Sequence, residues 1–170
     1  MVIILMGVEG SGKTTVGQLL AQKLRWQFAD ADNFHPPANI EKIQCGIPLG
    51  DSDRAPWLSA LGAAIDDWDA HRKNVVLACS ALKRKYRDEL SANSIQFVYL
   101  KGSYELILSR LRTRRGHFAS DSILASQFAD LEEPQDAITV TVDKSPDAIV
   151  SEIIAKLKLA PLAYPDPTNL

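Results

Sequence analysis

The sequence predicts an α/β protein with a five-stranded, mostly parallel β-sheet that is covered by helices on both faces. Short apolar runs rich in β-branched residues recur along the chain without alternating with polar residues, which is typical of strands buried on both faces. The segments between them carry apolar residues at helical spacing. Strands that alternate with helices favour parallel pairing through right-handed crossovers.

Four segments have the character of buried strands, and a fifth is weaker. The four are "VIILM" (2–6), "NVVLACS" (74–80), "IQFVYL" (95–100) and "AITVTV" (137–142). The weaker candidate is "WQFAD" (26–30). Together they supply the strands that the predicted sheet needs.

Five amphipathic helices are predicted from apolar residues three and four positions apart. The stripes that define them span residues 16–24, 57–68, 104–111, 124–131 and 149–157. These helices lie between the predicted strands and follow the last one, so they are expected to cover the sheet.

Polar residues stand where three of these helices are expected to begin. Ser103, Ser120 and Ser145 occupy N-cap positions, where a hydroxyl oxygen accepts a backbone hydrogen bond from the first turn. Pro146 follows Ser145 at a first helical position, where its missing N–H is not needed.

Length and composition favour one domain over residues 1–160, followed by a proline-rich tail at 161–170. A net charge of -2 does not favour nucleic acid or a membrane surface as a partner. Cys45 and Cys79 form no CxxC pair or metal cluster, which suits a reducing compartment. The opening apolar run is too short to span a membrane, so we expect a cytoplasmic protein.

A phosphate-binding loop joins the first strand to the first helix. Residues 7–14, "GVEGSGKT", match G-x-x-x-x-G-K-[ST] between an apolar strand and an amphipathic helix. Backbone N–H groups and the helix N-terminus would hold the phosphates of ATP, Lys13 would add a point charge, and the Thr14 hydroxyl would bind Mg²⁺. The predicted nucleotide-binding residues are Gly7, Val8, Glu9, Gly10, Ser11, Gly12, Lys13, Thr14 and Thr15.

Other classes of P-loop protein fit less well. The chain has no NKxD or DxxG motif, which argues against a GTPase. The strand that ends in "ACSALK" supplies no aspartate for a simple Walker B motif, which argues against a motor or transporter ATPase. A small-molecule kinase with a mobile lid remains.

The segment "SRLRTRRGHF" (109–118) is the predicted lid, within residues 110–122. Arg110 and Arg114 share one helix face, and guanidinium groups stabilise the charge that develops during phosphoryl transfer. Taken alone, the arginine run is equally compatible with a solvated basic face or a small nucleic-acid patch. The phosphate-binding loop upstream favours the lid.

The acceptor pocket is expected within residues 30–58, which follow no helical or strand period. Asp30 and Asp32 come at the carboxyl end of the second strand, where open α/β sheets bind ligands. One carboxylate there is able to accept or orient the proton of the acceptor hydroxyl and to help position Mg²⁺, although an Asp pair also suits a turn or a helix cap. Arg54 matches a carboxylate or phosphate, whereas His35 on spacing alone is a surface loop residue.

Nearly the whole chain, from residue 2 to about 158, resembles the gluconate kinases of the P-loop kinase superfamily. The resemblance is carried by "MGVEGSGKTT", "DADNFHPPANIEKIQCGIPLGDSDRAPWL", "ACSALKRKYRD", "LKGSYELILSRLRTRRGHF" and "ILASQFADLEEP". It implies a P-loop kinase fold with a lid, commonly in a homodimer. It also implies transfer of the ATP γ-phosphate to the 6-hydroxyl of D-gluconate. A related sugar acid or shikimate-like acceptor, or a regulator without catalysis, stays as an alternative.

The resemblance also assigns roles by position. The implied catalytic residues are Lys13, Asp32, Arg110 and Arg114, with both arginines serving ATP and Asp32 acting on the acceptor hydroxyl. The implied acceptor-binding residues are Asp32, His35, Arg54, Lys83, Arg87 and Gln127. For Gln127, a role in packing without contact to the acceptor is the alternative.

The chain departs from the family pattern at three places. Glu9 stands where the family commonly has serine, Ala31 replaces a glycine between the two aspartates, and "GHFAS" (116–120) lacks a common proline. Ala31 would be strained only at a positive φ. A carboxylate aimed at the phosphates would repel them, so we expect Glu9 to point away from the nucleotide.

Overall fold

Five strands form one sheet in the order β2-β3-β1-β4-β5, and all four pairings are parallel. The structure is a computed structural model that describes residues 1–90, 95–113 and 121–160. The predicted α/β class is therefore confirmed. The strands are β1 Val2–Met6, β2 Gln27–Asp30, β3 Val75–Ala78, β4 Ile95–Lys101 and β5 Ile138–Thr141.

Strand β1 is the centre of the sheet and of the core. All its residues are fully buried, and its Ile4 pairs with Leu77 of β3 on one side and Phe97 of β4 on the other. Side chains alternate between faces along a strand, so Ile3 and Leu5 join one core cluster while Ile4 and Met6 join the other.

All five predicted helices are present, together with two that were not predicted. The elements are α1 Lys13–Leu24, α2 Pro37–Gln44, α3 Asp51–Ala70, α4 Arg84–Leu90, α5 Tyr104–Thr113, α6 Asp121–Asp130 and α7 Pro146–Lys156, with a 3₁₀ turn at Ala31–Phe34. The first core cluster packs helices α1, α5 and α7 on the sheet, and the second packs α3 and α4.

Residues 30–58, whose sequence shows no helical or strand period, contain helical structure that the sequence did not predict. Helix α2 lies within this segment, and α3 begins at Asp51, before its apolar stripe starts at Trp57. Helix α2 escaped detection because Ile40 and Ile43 are 41% and 49% exposed, so no apolar stripe faces the core. Helix α4 is too short to show a period.

The helix caps agree with the sequence wherever the structure describes them. The Ser103 hydroxyl accepts a hydrogen bond from the Leu106 N–H at 3.2 Å, and that of Ser145 accepts one from the Ala148 N–H at 3.3 Å. Pro146 opens α7 as predicted. Ser120 and the tail at 161–170 lie outside the described residues.

Two further predictions concern the cysteines and the membrane. Cys45 is exposed and Cys79 is buried, and both are free thiols. Within the described ranges, no helix combines the length and apolar character that crossing a bilayer requires.

Leu61 of α3 tests the importance of the second core cluster. Its side chain is fully buried. We expect Leu61→Ala to lower the free energy of unfolding by about 2–5 kcal/mol, because it removes buried methyl groups and leaves a cavity. Urea denaturation measures this loss, with the exposed Ser59→Ala on the same helix as the control. A loss no larger than that of the control would contradict the packing described.

Candidate active site

The phosphate-binding loop runs from the end of β1 to the first residue of α1. Gly10 and Gly12 have φ angles of 79° and 95°, a region that side chains other than glycine rarely adopt. A Cβ at Gly10 would also lie only 3.0 Å from the side chain of Leu111. The two glycines therefore allow the backbone to curve closely before α1 begins at Lys13.

Lys13 is folded over this loop. Its ammonium donates hydrogen bonds to the carbonyl oxygens of Gly7 and Val8 at 2.9 and 3.0 Å. Burial lowers the pKa of Lys13, while the negative charges of Asp32, Glu9 and Asp30 oppose that shift. The lysine is thus held inside the loop that the sequence predicted it would serve.

Thr14 and Asp30 bring two oxygen ligands together at the carboxyl edge of the sheet. The Thr14 hydroxyl lies 3.3 Å from Asp30 Oδ2, to which it donates a hydrogen bond. Asp30 is the last residue of β2, and its other oxygen accepts the Asp32 N–H at 3.1 Å. Hydroxyl and carboxylate oxygens are ligands that suit Mg²⁺, so the predicted metal role of Thr14 fits, and Asp30 is a second candidate.

Asp32 lies in the 3₁₀ turn and is exposed to solvent. The surrounding protein and the charge of Asp30 raise the pKa of Asp32, while His35 and Lys13 act in the opposite direction. A carboxyl with a raised pKa is a better proton acceptor than an ordinary aspartate. Ala31, which precedes it, has no positive φ, so the departure from glycine causes no strain there.

His35 is fixed in a defined orientation. Its ring stacks on Trp57, with centroids 4.8 Å apart and planes 12° from parallel. Asn39 uses one amide hydrogen on the Asp53 carbonyl at 2.7 Å and the other on His35 Nδ1 at 3.3 Å. Nδ1 is therefore the acceptor nitrogen, which assigns the proton of the neutral ring to Nε2.

The three predicted acceptor residues with the clearest chemistry form one cluster. Burial and the positive charge of Arg54 lower the pKa of His35, and the negative charge of Asp32 opposes them. The geometry agrees, because the His35 N–H donates to the Asp32 carbonyl at 3.3 Å and the His35 ring stacks on Trp57 of α3, the helix that carries Arg54. Arg54 stands in the first turn of α3 and donates a hydrogen bond to the Tyr86 hydroxyl at 3.0 Å.

Lys83 and Arg87 have protein partners. Lys83 forms an ion pair with Asp130 of α6 at 3.2 Å. Arg87 is buried and donates hydrogen bonds to the carbonyl oxygens of Ala81 and Leu82 at 3.0 and 2.9 Å. Their predicted roles in acceptor binding remain predictions, and the observed contacts of Arg87 are with the turn after β3.

Gln127 contacts the phosphate-binding loop. Its amide oxygen accepts the Glu9 N–H at 2.6 Å, which links α6 to the loop. The predicted contact of Gln127 with the acceptor remains a prediction. Glu9 lies close enough to Lys13 for its charge to raise the lysine pKa, and the direction of its side chain also stays a prediction.

A cleft beside the loop suits the rest of a nucleotide. It is lined by loop residues including Gly10 and Gly12, by Arg110 at the end of α5, and by Lys144 and Pro146 after β5. The Arg110 guanidinium donates a hydrogen bond to the Val142 carbonyl. Arg114, the other predicted lid arginine, lies outside the described residues.

The buried thiol of Cys79 lies near the same charges but offers no nucleophile. Burial raises the pKa of Cys79 to about 12, so it stays protonated at neutral pH. Transfer through a cysteine is therefore not part of the chemistry of this site.

Two residues of the candidate site were not assigned a role from the sequence. Asn39 and Tyr86 orient His35 and Arg54, and no local pattern distinguishes such residues from ordinary polar side chains. For the pair Asp30 and Asp32, the sequence predicted that one carboxylate helps position Mg²⁺, and the contact with Thr14 favours Asp30 for this role.

The chain is similar to known kinases over most of its length. Residues 9–158 match the family model described as shikimate kinase. A probable gluconokinase of Xenopus tropicalis is 45% identical over 174 residues, covering 90% of this chain and 91% of that protein. A gluconokinase of Gluconobacter oxydans is 45% identical over 161 residues, covering 89% and 88%.

A solved structure leads to the same family. The crystal structure of a gluconokinase from Sinorhizobium meliloti has a TM-score of 0.83 and 42% identity, covering 92% of this chain and 90% of that one. Fold and site thus define an enzyme of the P-loop kinase class. Within that class, the chain belongs to the gluconokinase family.

The contact between Gln127 and Glu9 makes a testable prediction. Gln127→Met keeps the length of the side chain but leaves the Glu9 N–H without its acceptor. We expect the Kd for ATP to rise about fivefold, corresponding to roughly 1 kcal/mol, because the loop backbone becomes less preorganised. Isothermal titration calorimetry measures this change.

Two variants serve as controls for that measurement. Gln127→Glu retains an acceptor oxygen for the Glu9 N–H, and Ser126→Ala alters the exposed neighbour. Wild-type ATP affinity in Gln127→Met, or an equal loss in Ser126→Ala, would show that the contact does not support the loop.

Proposed function

We propose that this protein transfers the γ-phosphate of ATP to the 6-hydroxyl of D-gluconate, giving 6-phospho-D-gluconate and ADP. The observation that carries the proposal is the placement of Asp32, His35 and Arg54 at the carboxyl edge of the sheet, in the turn after β2 and in the first turn of α3 that packs against it. Membership of the gluconokinase family supports the choice of acceptor.

The donor side is served by the loop and its lysine. Backbone N–H groups of residues 7–14 and the N-terminus of α1 would bind the phosphates, with the charge of Lys13 on the transferred group. The cleft lined by Arg110, Lys144 and Pro146 would receive the remainder of ATP. Arg114 would add positive charge from the lid.

On the acceptor side, Asp32 is the proposed base. The 6-hydroxyl oxygen forms a bond to the γ-phosphorus, the bond from that phosphorus to the ADP oxygen breaks, and the hydroxyl proton passes to Asp32. The raised pKa of Asp32 suits this role. His35, neutral and held by Asn39 and Trp57, offers its Nε2–H as a donor to a sugar hydroxyl.

Arg54 is proposed to bind the carboxylate at the other end of the acceptor. Its planar guanidinium matches two carboxylate oxygens. D-Gluconate carries its carboxylate and its 6-hydroxyl at opposite ends of the chain, so a cation for the carboxylate and a base for the hydroxyl would together favour such a molecule.

A Mg²⁺ ion is proposed to accompany ATP, with Thr14 and Asp30 as its candidate protein ligands. When bound, this ion would neutralise phosphate charge and orient the γ-phosphoryl group. Two carboxylates beside the phosphates would otherwise repel them, which gives a physical reason for a cation at this position.

Three further features stay predictions. The resemblance implies a homodimer. Composition indicates a cytoplasmic location, and the arginine segment indicates a lid within residues 110–122 that closes over both substrates. Closure would exclude water, which otherwise competes for the phosphoryl group.

A panel of acceptors tests the proposed function. We expect ADP release in a coupled assay to depend on D-gluconate, with far lower kcat/KM for other sugar acids, shikimate and nucleoside monophosphates. Phosphate on the 6-hydroxyl is then confirmed by ³¹P and ¹H NMR of the product.

Lys13→Ala is the matched negative control, because it removes the charge needed on the transferring phosphate. Turnover with shikimate or a nucleoside monophosphate alone would refute the choice of acceptor. ATP binding without turnover on any acceptor would instead favour a regulator.

Asp32→Asn tests the proposed base. The amide has nearly the same shape but cannot accept the proton, so we expect kcat to fall about 10²- to 10⁴-fold with little change in ATP affinity. Near-normal turnover in this variant would show that Asp32 is not the base.

The pH dependence of the wild-type enzyme adds an independent test. Asp32 is active as a base only when deprotonated, and its raised pKa means that protonation begins at a higher pH than for an ordinary aspartate. We expect kcat/KM for D-gluconate to fall with decreasing pH through a pKa above the ordinary value of 3.8. An acid limb at or below that value would contradict the environment described for Asp32.

A further inference from the structure

A polar network between helices α3 and α4 has no part in the chemistry derived so far. Tyr86 of α4 lies at its centre, with its ring buried in the second core cluster. Its hydroxyl lies between two residues of the first turn of α3. The hydroxyl oxygen is 3.0 Å from Nη1 of Arg54 and 2.5 Å from Oδ1 of Asp51.

The directions of these two hydrogen bonds are fixed by chemistry. Hydrogen bonds from Lys85 and Tyr86 lower the pKa of Asp51 to about 2, so Asp51 is a carboxylate at neutral pH and only accepts. Tyr86 has a single hydroxyl proton, which it donates to Asp51. Its oxygen is left with lone pairs, and Arg54 donates to them.

Arg54 is thereby held by a neutral group. Its guanidinium carbon also lies 5.5 Å from the centre of the Tyr86 ring, within the range of a cation–π contact. Among the residues that the structure describes, no carboxylate forms an ion pair with Arg54. Neighbouring Asp53 is instead engaged by Lys42 at 2.6 Å and by the Gly50 N–H at 3.0 Å.

We propose that Tyr86 is a positioning residue for the acceptor, which holds the guanidinium of Arg54 ready for the carboxylate of the sugar acid without neutralising its charge. This inference rests on the proposed function. A free arginine side chain loses rotamer freedom when it binds a ligand, and a tether made beforehand reduces that cost. A direct pair of Asp51 with Arg54 would provide the same tether but would offset the charge that attracts the ligand.

The replacement Tyr86→Phe tests this role. It keeps the ring, and with it the core packing and the cation–π contact, and removes only the hydroxyl. We expect kcat/KM for D-gluconate to fall about tenfold, mainly through a higher KM for gluconate, because a hydrogen bond to a charged group is lost. The KM for ATP is expected to stay at its wild-type value.

Tyr99→Phe is the matched control. Tyr99 is buried in the same core cluster, and the hydrogen bond that its hydroxyl donates to Glu133 is long, at 3.5 Å. The Tyr99→Phe replacement should leave the KM for ATP and the KM for gluconate unchanged. If Tyr86→Phe raises the KM for ATP and for gluconate equally, or if Tyr99→Phe has the same effect, Tyr86 has only a structural role and the proposal fails.

A double-mutant cycle shows whether Tyr86 acts through Arg54. In an Arg54→Gln background, the additional Tyr86→Phe replacement should no longer change kcat/KM for gluconate, because the group that Tyr86 positions is gone. The same tenfold loss in both backgrounds would overturn the proposal.

The wild-type measurement separates this proposal from the proposed function. Absence of turnover of D-gluconate by the wild-type enzyme would refute the proposed function itself. An active wild type with an unchanged Tyr86→Phe variant would refute only the role of Tyr86.

Discussion

The parallel direction of all five strands is the constraint on which the site depends. It brings the carboxyl ends of β1 and β2 to one edge, so that the phosphate-binding loop after β1 meets the aspartates at the end of β2. The contact of Thr14 with Asp30 is the direct result. Carboxylates next to a phosphate-binding loop would be unfavourable by themselves. Lys13, the helix N-terminus and a divalent cation would offset their charge.

The proposed acceptor side lies at the same edge, on the 3₁₀ turn after β2 and the first turn of α3. The 3₁₀ turn presents Asp32 and leads directly to His35, while the first turn of α3 presents Arg54. Asn39 forms a hydrogen bond with His35, and Tyr86 accepts one from Arg54, so both side chains are held in place. Preorganisation of this kind lowers the entropy that binding would otherwise cost.

The sequence predicted those parts of the molecule that have local signals. Buried strands, core-facing helices, caps and the phosphate-binding loop all depend on spacing over a few residues. Helix α2 has no such signal because Ile40 and Ile43 face solvent. Contacts between distant residues were also beyond reach, since Gln127 and Glu9 are 118 positions apart and Tyr86 and Arg54 are 32 apart. Resemblance to a family named the acceptor, whereas only the structure connects its proposed binding residues to the groups that hold them.

The central claim is that the acceptor lies between Asp32 and Arg54 with a defined polarity. A crystal structure of the protein with D-gluconate and a non-hydrolysable ATP analogue tests it most directly. We expect the 6-hydroxyl to lie within hydrogen-bond distance of Asp32. We expect the carboxylate to accept hydrogen bonds from the guanidinium of Arg54, which remains bound to Tyr86. Gluconate in the reverse orientation, or bound away from both residues, would contradict it.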